Sequence, residues 1–308
     1  MSSAHKDLKI GYIGLGNAGY PLASCIAKAG YPIIVQDADT TRSQRFVSEH
    51  PTISQTADSP EAWKKVDVLI TMLPNGEIVR NVLLPIAPDL KQGCVVVDTS
   101  SSSPFHTRET EKLVREVNDG ITLVDSPVTQ EYAGAISTGE ATFMVGCSDP
   151  VALEIVMPLL RCMGKHVFVM GKLGAGHAMK TLNNYVSGAS IIGLCDALMA
   201  GQKFGLEPTK MVDVMNVGTG VNFSTKESFR QDGLTRRFRS GYQLALLIKD
   251  MKIAKSVLEE MGVPSALPQL MIELMEEALS VAGPNADHVQ VIRRWEEQVG
   301  MQLRQSKL

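Results

Sequence analysis

The sequence predicts an α/β domain with a mostly parallel sheet, followed by an all-α domain that a long helix joins to it. In the first half, short apolar runs alternate with segments long enough to be crossover helices. After Gly171 such runs almost vanish, and Leu, Ile, Val and Met recur at helical spacing. We therefore expect one domain over residues 1–171 and a second over residues 172–308.

Seven apolar runs are predicted to be strands of one sheet. Five of them have the largely apolar character of parallel strands covered on both faces, and they lie at 10–13, 32–35, 66–70, 94–97 and 122–124. Runs at 141–145 and 166–170 extend the sheet, with a helix over 150–163 between them. Gly174 and Gly176 open a helix that continues through Lys203, and glycines and prolines divide the remainder into several helices.

The composition excludes several classes of protein. With 308 residues, 44% hydrophobic and 20% charged, the chain can build two hydrophobic cores. Thirty basic against 33 acidic residues give a net charge of -3, which lacks the basic excess of a nucleic-acid binder. The longest apolar stretch, at 186–194, is well short of the about 18 residues that a membrane span needs. We expect neither a nucleic-acid partner nor a membrane segment.

The cysteines point to a reducing compartment. There are five of them, an odd number, and the sequence has no C-x-x-C pair, which argues against both a disulfide framework and a zinc knuckle. Residues 1–9, which precede the first apolar run, are too few for a secretory signal. We therefore expect a cytoplasmic protein without a metal site.

A glycine-rich loop near the N-terminus has the pattern of a dinucleotide-binding turn. It reads G-x-G-x-x-G, directly after the first predicted strand and before a helical pattern. The first glycine allows a tight turn, the second lets the backbone approach a pyrophosphate, and the third lets helix and strand pack closely. The helix N-terminus supplies N–H donors to the phosphates. The predicted cofactor-binding residues here are Gly14, Leu15, Gly16, Asn17, Ala18 and Gly19.

The end of the second predicted strand indicates which dinucleotide binds. Asp37 follows this strand, where a carboxylate can accept hydrogen bonds from both ribose hydroxyls of the adenosine and would repel a 2′-phosphate. Position 38 is Ala rather than a cation, so NAD is favoured over NADP, although Arg42 lies close enough in sequence to leave NADP open. Asp37 and Asp39 could instead be ordinary turn residues.

Further motifs occur in a fixed order along nearly the whole chain. They are Pro21-Leu22-Ala23 after the glycine loop, Met72-Leu73-Pro74, Asp98 to Pro104, Asp125-Ser126-Pro127-Val128, Gly134-Ala135 with Gly139, Gly174 to Asn184, and Lys249-Asp250. Together they resemble the β-hydroxyacid dehydrogenase family, which includes 3-hydroxyisobutyrate dehydrogenases, tartronate semialdehyde reductases and, more distantly, 6-phosphogluconate dehydrogenases. The resemblance implies an N-terminal Rossmann domain, an active site in the cleft beside an all-α domain, and a homodimer or homotetramer paired through the helical domains.

The resemblance implies that Lys180 is the catalytic residue. Lys180 and Asn184 are four residues apart, so they share one face of the predicted helix and can reach one substrate hydroxyl. During oxidation a base must take the hydroxyl proton while hydride leaves the same carbon, and during reduction an ammonium must return a proton. Lysine can do both where its site favours the neutral form, through desolvation or a neighbouring cation such as Lys249.

The same resemblance implies roles for other residues near the cofactor. Ser101 occupies the place of a threonine beside nicotinamide and substrate, and Lys249 that of a lysine close to the cofactor. A third group, Met72, Leu73 and Pro74, is expected to pack near adenosine and ribose. Each has an alternative: the hydroxyl run 99–103 could cap the following helix, and the Met-Leu-Pro segment could be an ordinary loop. His177, beside the predicted catalytic helix, is expected to be structural.

The chain departs from the family where a substrate carboxylate usually binds. After Val128 the family has Ser-Gly-Gly, whereas this chain has Thr129, Gln130 and Glu131. Thr129 keeps the hydroxyl, but two large side chains, one of them acidic, hinder close approach of a carboxylate. Glu131 could turn outward, bind an amine or hydroxyl of the substrate, or pair with a basic residue such as Lys249. We expect Ser101, Thr129–Glu131, Lys180, Asn184 and Lys249 to contact the substrate.

The sequence therefore predicts an oxidoreductase that transfers hydride between NAD and the hydroxyl-bearing carbon of a small β-hydroxy acid or related compound. Lys180 would be the general acid and base, with Asn184 as its partner. An alternative on the same fold is an imine reductase, because Glu131 could favour a cationic substrate, although such enzymes often lack the lysine. A second alternative is a non-catalytic dinucleotide-binding interaction module.

Overall fold

The structure is a computed structural model that describes residues 7–130 and 134–304. The chain separates into two compact units, residues 1–180 and residues 181–308. The sheet ends at Gly171, and the units divide further on, after Lys180. The domain boundary at residue 171 stays a prediction.

The first unit is built on a β-sheet whose strands pair in the order β3-β2-β1-β4-β5-β6-β8-β7. Strand β9 also pairs with β8, in the parallel direction. Neighbours from β3 to β6 are parallel, whereas β8 runs antiparallel to β6 and β7. The strands are β1 Ile10–Ile13, β2 Ile33–Gln36, β3 Ser54–Thr56, β4 Val68–Thr71, β5 Val95–Asp98, β6 Thr122–Asp125, β7 Val128–Thr129, β8 Ala141–Gly146 and β9 Gly164–Gly171.

All seven predicted strands are confirmed, and two short strands were not predicted. The polar segment Ser54–Thr56 forms an edge strand, and Val128–Thr129 is a two-residue pairing with β8. Neither has the apolar run that identifies a buried strand from sequence.

Helices cover both faces of this sheet. They are α1 Gly19–Lys28, α2 Thr40–Glu49, α3 Gly76–Ile86, α4 Pro104–Val117 and α5 Pro150–Met163, with short 3₁₀ segments at Pro60–Lys65 and Ala87–Asp89. The chain runs from β1 outward to β3 and then returns to the other side of β1 to form β4. In such sheets a ligand crevice opens at the carboxyl ends of the strands, beside this reversal.

The second unit is helical around its own core, as predicted. Its elements are most of α6 Ala175–Phe204, then α7 Pro208–Val217, a π-helical segment Ser224–Gly233, α8 Leu244–Glu260, α9 Leu267–Ala282, a 3₁₀ turn His288–Val291 and α10 Ile292–Val299. Helix α6 is the long helix expected after Gly174, and it ends one residue beyond the predicted end at Lys203. Among the described residues, no helix is long and apolar enough to cross a membrane.

Candidate functional site

The glycine loop joins β1 to α1 and is tightly constrained at two positions. Gly14 has φ of +101°, a conformation that L side chains rarely adopt, and a Cβ there would overlap the Met72 carbonyl oxygen. A Cβ at Gly19 would overlap the Gly14 carbonyl oxygen. The first glycine of the motif therefore makes the turn, and the third permits close packing of α1 against the loop residue Gly14, whereas the sequence predicted packing of helix against strand.

Gly16 differs because the space beside it is open. A Cβ at this position would meet only Nη1 of Arg42, at 3.8 Å. Helix α1 begins without a side-chain cap and without an acidic residue in its first turn. The Tyr20 N–H donates to the Gly16 carbonyl at 3.0 Å and Pro21 has no N–H, so an anion at this helix end would meet the loop and Gly19 rather than the whole first turn. This arrangement fits the pyrophosphate of a dinucleotide, which approaches bare backbone at the N-terminus of a helix.

Asp37 connects the end of β2 to the glycine loop. Its carboxylate accepts hydrogen bonds from the backbone N–H of Leu15 at 2.6 Å and from that of Asp39 at 2.9 Å. Asp39 instead caps α2, accepting from the Thr41 hydroxyl and N–H, and these hydrogen bonds lower the pKa of the Asp39 carboxyl. Of the two acids, only Asp37 is fixed to the loop, which is where a ribose-binding carboxylate is needed.

The ends of β1, β4 and β5 lie together beside this loop. The N–H of Met72 donates to the Ile13 carbonyl at 2.9 Å, and the N–H of Leu73 donates to the Ser100 hydroxyl at 2.9 Å. The predicted residues Met72 and Leu73 therefore adjoin the glycine loop, and Pro74 is next in the chain. Ser101 follows Ser100, the residue whose hydroxyl accepts from the Leu73 N–H.

The segment that departs from the family begins on β7. Thr129 pairs in register with Thr142 of β8, and the partly exposed Gln130 follows it. Glu131 lies outside the described residues. Thr129, whose side-chain hydroxyl is predicted to contact the substrate, is therefore the last residue of a short strand.

The first turn of α6 lies beside the ends of two strands, each of which ends in an aspartate. Asp98 ends β5 and Asp125 ends β6, and the two residues are adjacent in the sheet register. Asp125 accepts from the N–H groups of Gly174 and His177, at 2.6 and 2.7 Å. Burial raises the pKa of Asp125, and the neighbouring His177 opposes that rise. Lys180 follows one turn later, partly exposed.

In the second unit, Asn184 and Lys249 both lie beside Asp250. The Asn184 amide nitrogen donates to Oδ2 of Asp250 at 2.6 Å, the Tyr242 hydroxyl donates to the same oxygen at 2.6 Å, and Nζ of Lys249 is 3.4 Å from Oδ1. Burial, together with the Asp250 charge, raises the pKa of Tyr242 well above its usual value. Because a carboxylate only accepts hydrogen bonds, the Asn184 amide nitrogen must face Asp250. The carbonyl oxygen Oδ1 of Asn184 faces away from it and accepts a hydrogen bond from the Asn183 amide nitrogen at 3.2 Å.

The sequence did not indicate Tyr242, since a single tyrosine carries no pattern. Nor did it indicate Thr107, whose hydroxyl contacts His177. Among the described residues, no group of three or more His, Cys, Asp or Glu side chains is arranged to hold a metal ion.

Comparison with known proteins gives matches over both units. The family model for the NAD binding domain of 6-phosphogluconate dehydrogenase matches residues 9–171. The model described as the NAD-binding domain of NADP-dependent 3-hydroxyisobutyrate dehydrogenase matches residues 174–295. The 2-(hydroxymethyl)glutarate dehydrogenase of Eubacterium barkeri is 31% identical over 97% of this chain and 98% of that protein. The NAD-dependent L-serine dehydrogenase of Pseudomonas aeruginosa is 29% identical over 86% of this chain and 90% of its own.

Solved structures share the architecture. The Mycobacterium tuberculosis 3-hydroxyisobutyrate dehydrogenase, solved with L-serine, is 25% identical, with a TM-score of 0.83 over 94% of this chain and 99% of that one. An imine reductase variant from Myxococcus stipitatus, solved with NAD⁺, is 18% identical, with a TM-score of 0.61 over 94% of this chain and 99% of that one. The second likeness shows a common fold alone.

Proposed function

We propose that this chain oxidises a primary alcohol whose CH₂OH group is attached to the carbon that bears a carboxylate. The chain belongs to the β-hydroxyacid dehydrogenase family that includes 3-hydroxyisobutyrate dehydrogenase. It is an NAD-dependent oxidoreductase that acts on the hydroxyl group of a small molecule. The observation that carries the finer proposal is the sequence of α6, in which Lys180 and Asn184 lie one turn apart on a single helix.

The names of the relatives support this choice of substrate class. L-Serine, 3-hydroxyisobutyrate and 2-(hydroxymethyl)glutarate all have a CH₂OH group on the carbon that bears the carboxylate. They differ only in the third substituent on that carbon, which is an ammonium, a methyl or a carboxyethyl group. We propose that this chain accepts the same CH₂OH–CH–carboxylate unit and that Thr129, Gln130 and Glu131 select the third substituent. The acid among them favours an ammonium or a hydroxyl over a second carboxylate.

The proposed chemistry assigns one step to each side chain. The Lys180 amine takes the proton of the substrate hydroxyl as the carbon–oxygen double bond forms, and its ammonium returns a proton in the reverse reaction. The Asn184 carbonyl oxygen already accepts from Asn183, and its second lone pair accepts a hydrogen bond from the substrate hydroxyl or from the Lys180 ammonium. Ser101 and Thr129 supply hydroxyl donors to the substrate, and Lys249 supplies a cation. NAD, when bound, supplies the acceptor for the hydride that leaves the same carbon.

NAD is preferred over NADP in this proposal because of Asp37. A carboxylate fixed at the end of β2 can accept hydrogen bonds from ribose hydroxyls, whereas it repels a 2′-phosphate. Arg42 lies beside the loop, where its Nη1 would be 3.8 Å from a Cβ at Gly16, and its Nε forms an ion pair with Asp39 at 3.4 Å.

The test is NADH formation with L-serine, 3-hydroxyisobutyrate and 2-(hydroxymethyl)glutarate, for the wild type, Lys180→Ala and Lys165→Ala. Lys165 is an exposed lysine on β9 and serves as the matched control. We expect activity with at least one compound, loss of that activity in Lys180→Ala, and its retention in Lys165→Ala. A Lys180→Ala enzyme with wild-type kcat would refute the role of Lys180. Imine reduction that survives Lys180→Ala would favour the imine reductase alternative.

We further propose a cytoplasmic homodimer or homotetramer. All five cysteines are free, and burial raises the pKa of every thiol, that of Cys94 to about 12, so all five are poorly reactive, as suits a reducing compartment. In the helical unit, Phe204 is 86% exposed and Val217 is 90% exposed, which favours pairing of subunits there. Cell fractionation and light scattering of the purified protein test these two statements.

A further inference from the structure

A buried polar cluster lies at the first turn of α6 and is not used by the proposed chemistry. It consists of Asp98, Asp125 and His177, each with at most 3% of its surface exposed. His177 lies between the two carboxylates, with ring nitrogens 3.7 Å from one oxygen of each. Buried ionisable groups are costly unless they are paired and hydrogen-bonded, so such a cluster calls for a physical explanation.

The backbone of this turn is fixed from β6. Asp125 accepts from two N–H groups of the turn, and a Cβ at Gly176 would overlap the Met144 carbonyl oxygen of β8. The first turn of α6 therefore rests directly on the strands, and the absence of a side chain at Gly176 permits that contact.

The His177 ring is fixed from the other side. Its Nε2 is 3.1 Å from the Ser100 carbonyl oxygen and its Nδ1 is 2.8 Å from the Thr107 hydroxyl. A carbonyl only accepts hydrogen bonds, so Nε2 carries a proton and donates it to Ser100. The hydroxyl of the same Ser100 holds the N–H of Leu73, which adjoins the glycine loop. The ring thus ties the start of α6 to the loop segment that precedes Ser101.

The position of His177 along α6 connects this contact to the proposed chemistry. His177, Lys180 and Asn184 occupy positions i, i+3 and i+7, which lie within roughly 60° of one another around a helix. Fixing the His177 side chain therefore fixes both the rotation and the axial position of the face that carries Lys180.

We propose that His177 is a positioning residue for Lys180. This inference rests on the proposed role of Lys180 as proton acceptor and donor. The ring touches neither substrate nor cofactor and acts by holding the lysine in register with the Ser100–Ser101 segment. A displacement of about 1 Å in a reacting group can cost on the order of 100-fold in rate, so a modest rotation of α6 has a measurable effect.

The experiment compares three substitutions at His177 in the full chain. His177→Leu removes both ring contacts, His177→Gln retains a nitrogen donor near the position of Nε2, and His177→Asn retains one only near Nδ1. We expect kcat for L-serine or 3-hydroxyisobutyrate oxidation to fall about 10- to 100-fold in His177→Leu and in His177→Asn. We expect His177→Gln to recover most of it, because its amide can still donate to the Ser100 carbonyl.

Two further measurements separate positioning from a merely structural role. NAD affinity, measured by titration calorimetry, stays within about twofold of wild type, because the hydrogen bond from the Leu73 N–H to the Ser100 hydroxyl is kept in every variant. The lower limb of the kcat–pH profile moves to higher pH in His177→Leu, because a displaced amine is better hydrated and more basic. A folded His177→Leu protein with wild-type kcat and pH profile overturns the inference.

Two controls complete the design. If His177→Leu does not fold, equal kcat values for the Gln and Asn variants overturn the inference in its place. A fully active Lys180→Ala enzyme refutes the proposed function itself, whereas an inactive Lys180→Ala beside a fully active His177→Leu refutes only the positioning role.

Discussion

Substituting Gly176 by Ala tests how closely α6 must approach the sheet. A Cβ at this position would lie 2.9 Å from Oδ2 and 3.0 Å from the carbonyl oxygen of Asp125, in addition to overlapping the Met144 carbonyl. Ordinary contacts of a Cβ begin at 3.4 Å, so the turn must retreat by about 0.5 Å from Asp125 alone and further from Met144. All three atoms belong to short, paired strands or to their ends and have little freedom to move. Overpacking of this kind costs roughly 1–3 kcal/mol of unfolding free energy.

The matched control is Gly193→Ala on the same helix, where a Cβ would meet nothing within 4 Å. Alanine is favoured over glycine in a helix interior by roughly 0.8–1.0 kcal/mol, so this variant should be more stable than the wild type. Urea unfolding measures both free energies, and kcat of the folded proteins measures the effect on chemistry. We expect Gly176→Ala to lose stability and to lose kcat by about tenfold or more, and Gly193→Ala to keep kcat. A Gly176→Ala enzyme with the stability and kcat of the wild type refutes the reasoning.

Three more outcomes are expected. Asp37→Ala combined with Ala38→Arg should raise kcat/KM with NADP relative to NAD, and an unchanged ratio would show that the adenosine carboxylate has been misplaced. Asp250→Asn should lower kcat about tenfold. An asparagine at position 250 can both donate and accept, so it no longer forces the amide nitrogen of Asn184, rather than its carbonyl oxygen, to face it. A wild-type kcat would contradict this. Burial raises the pKa of Asp125, so the native state binds its proton more tightly than the unfolded chain does. The unfolding free energy of wild type should therefore fall, relative to Asp125→Asn, as pH rises from 3.8 through the raised pKa, and parallel curves would contradict it.

Much of the fold could be predicted because its signals are local. The buried strands β1, β4 and β5 are continuous apolar runs, and the helix over 150–163 begins with an aspartate cap and a proline. Strand β3 could not be predicted in this way, because its polar residues form a strand only through the pairing that β2 offers. The antiparallel direction of β8 depends on the same kind of distant pairing.

The candidate site shows a similar division. The glycine loop and Asp37 could be placed from spacing alone, since the turn and the strand end dictate residue type. The role of Asp125 could not, because it depends on a contact with Gly174 and His177 about 50 residues away in the chain. Similarly, His177 lies three residues before the predicted lysine in sequence, but only the fold shows that its ring contacts Ser100 and Thr107.

The N-termini of α1 and α6 both lie at carboxyl ends of parallel strands, but only the start of α6 is hydrogen-bonded by a carboxylate of the described chain. The first turn of α1 has neither a side-chain cap nor an acidic residue, so no carboxylate of that turn competes with an added anion for its positive end. The first turn of α6 is already occupied by the Asp125 carboxylate, which accepts two of its N–H groups. The positive end of α1 is thereby left for an added anion, as our proposal of a cofactor pyrophosphate there requires, whereas the positive end of α6 is neutralised by Asp125. The Asp125 carboxylate therefore fixes the start of α6, the helix that carries Lys180, and it occupies the N–H groups of Gly174 and His177 that an added anion would otherwise bind.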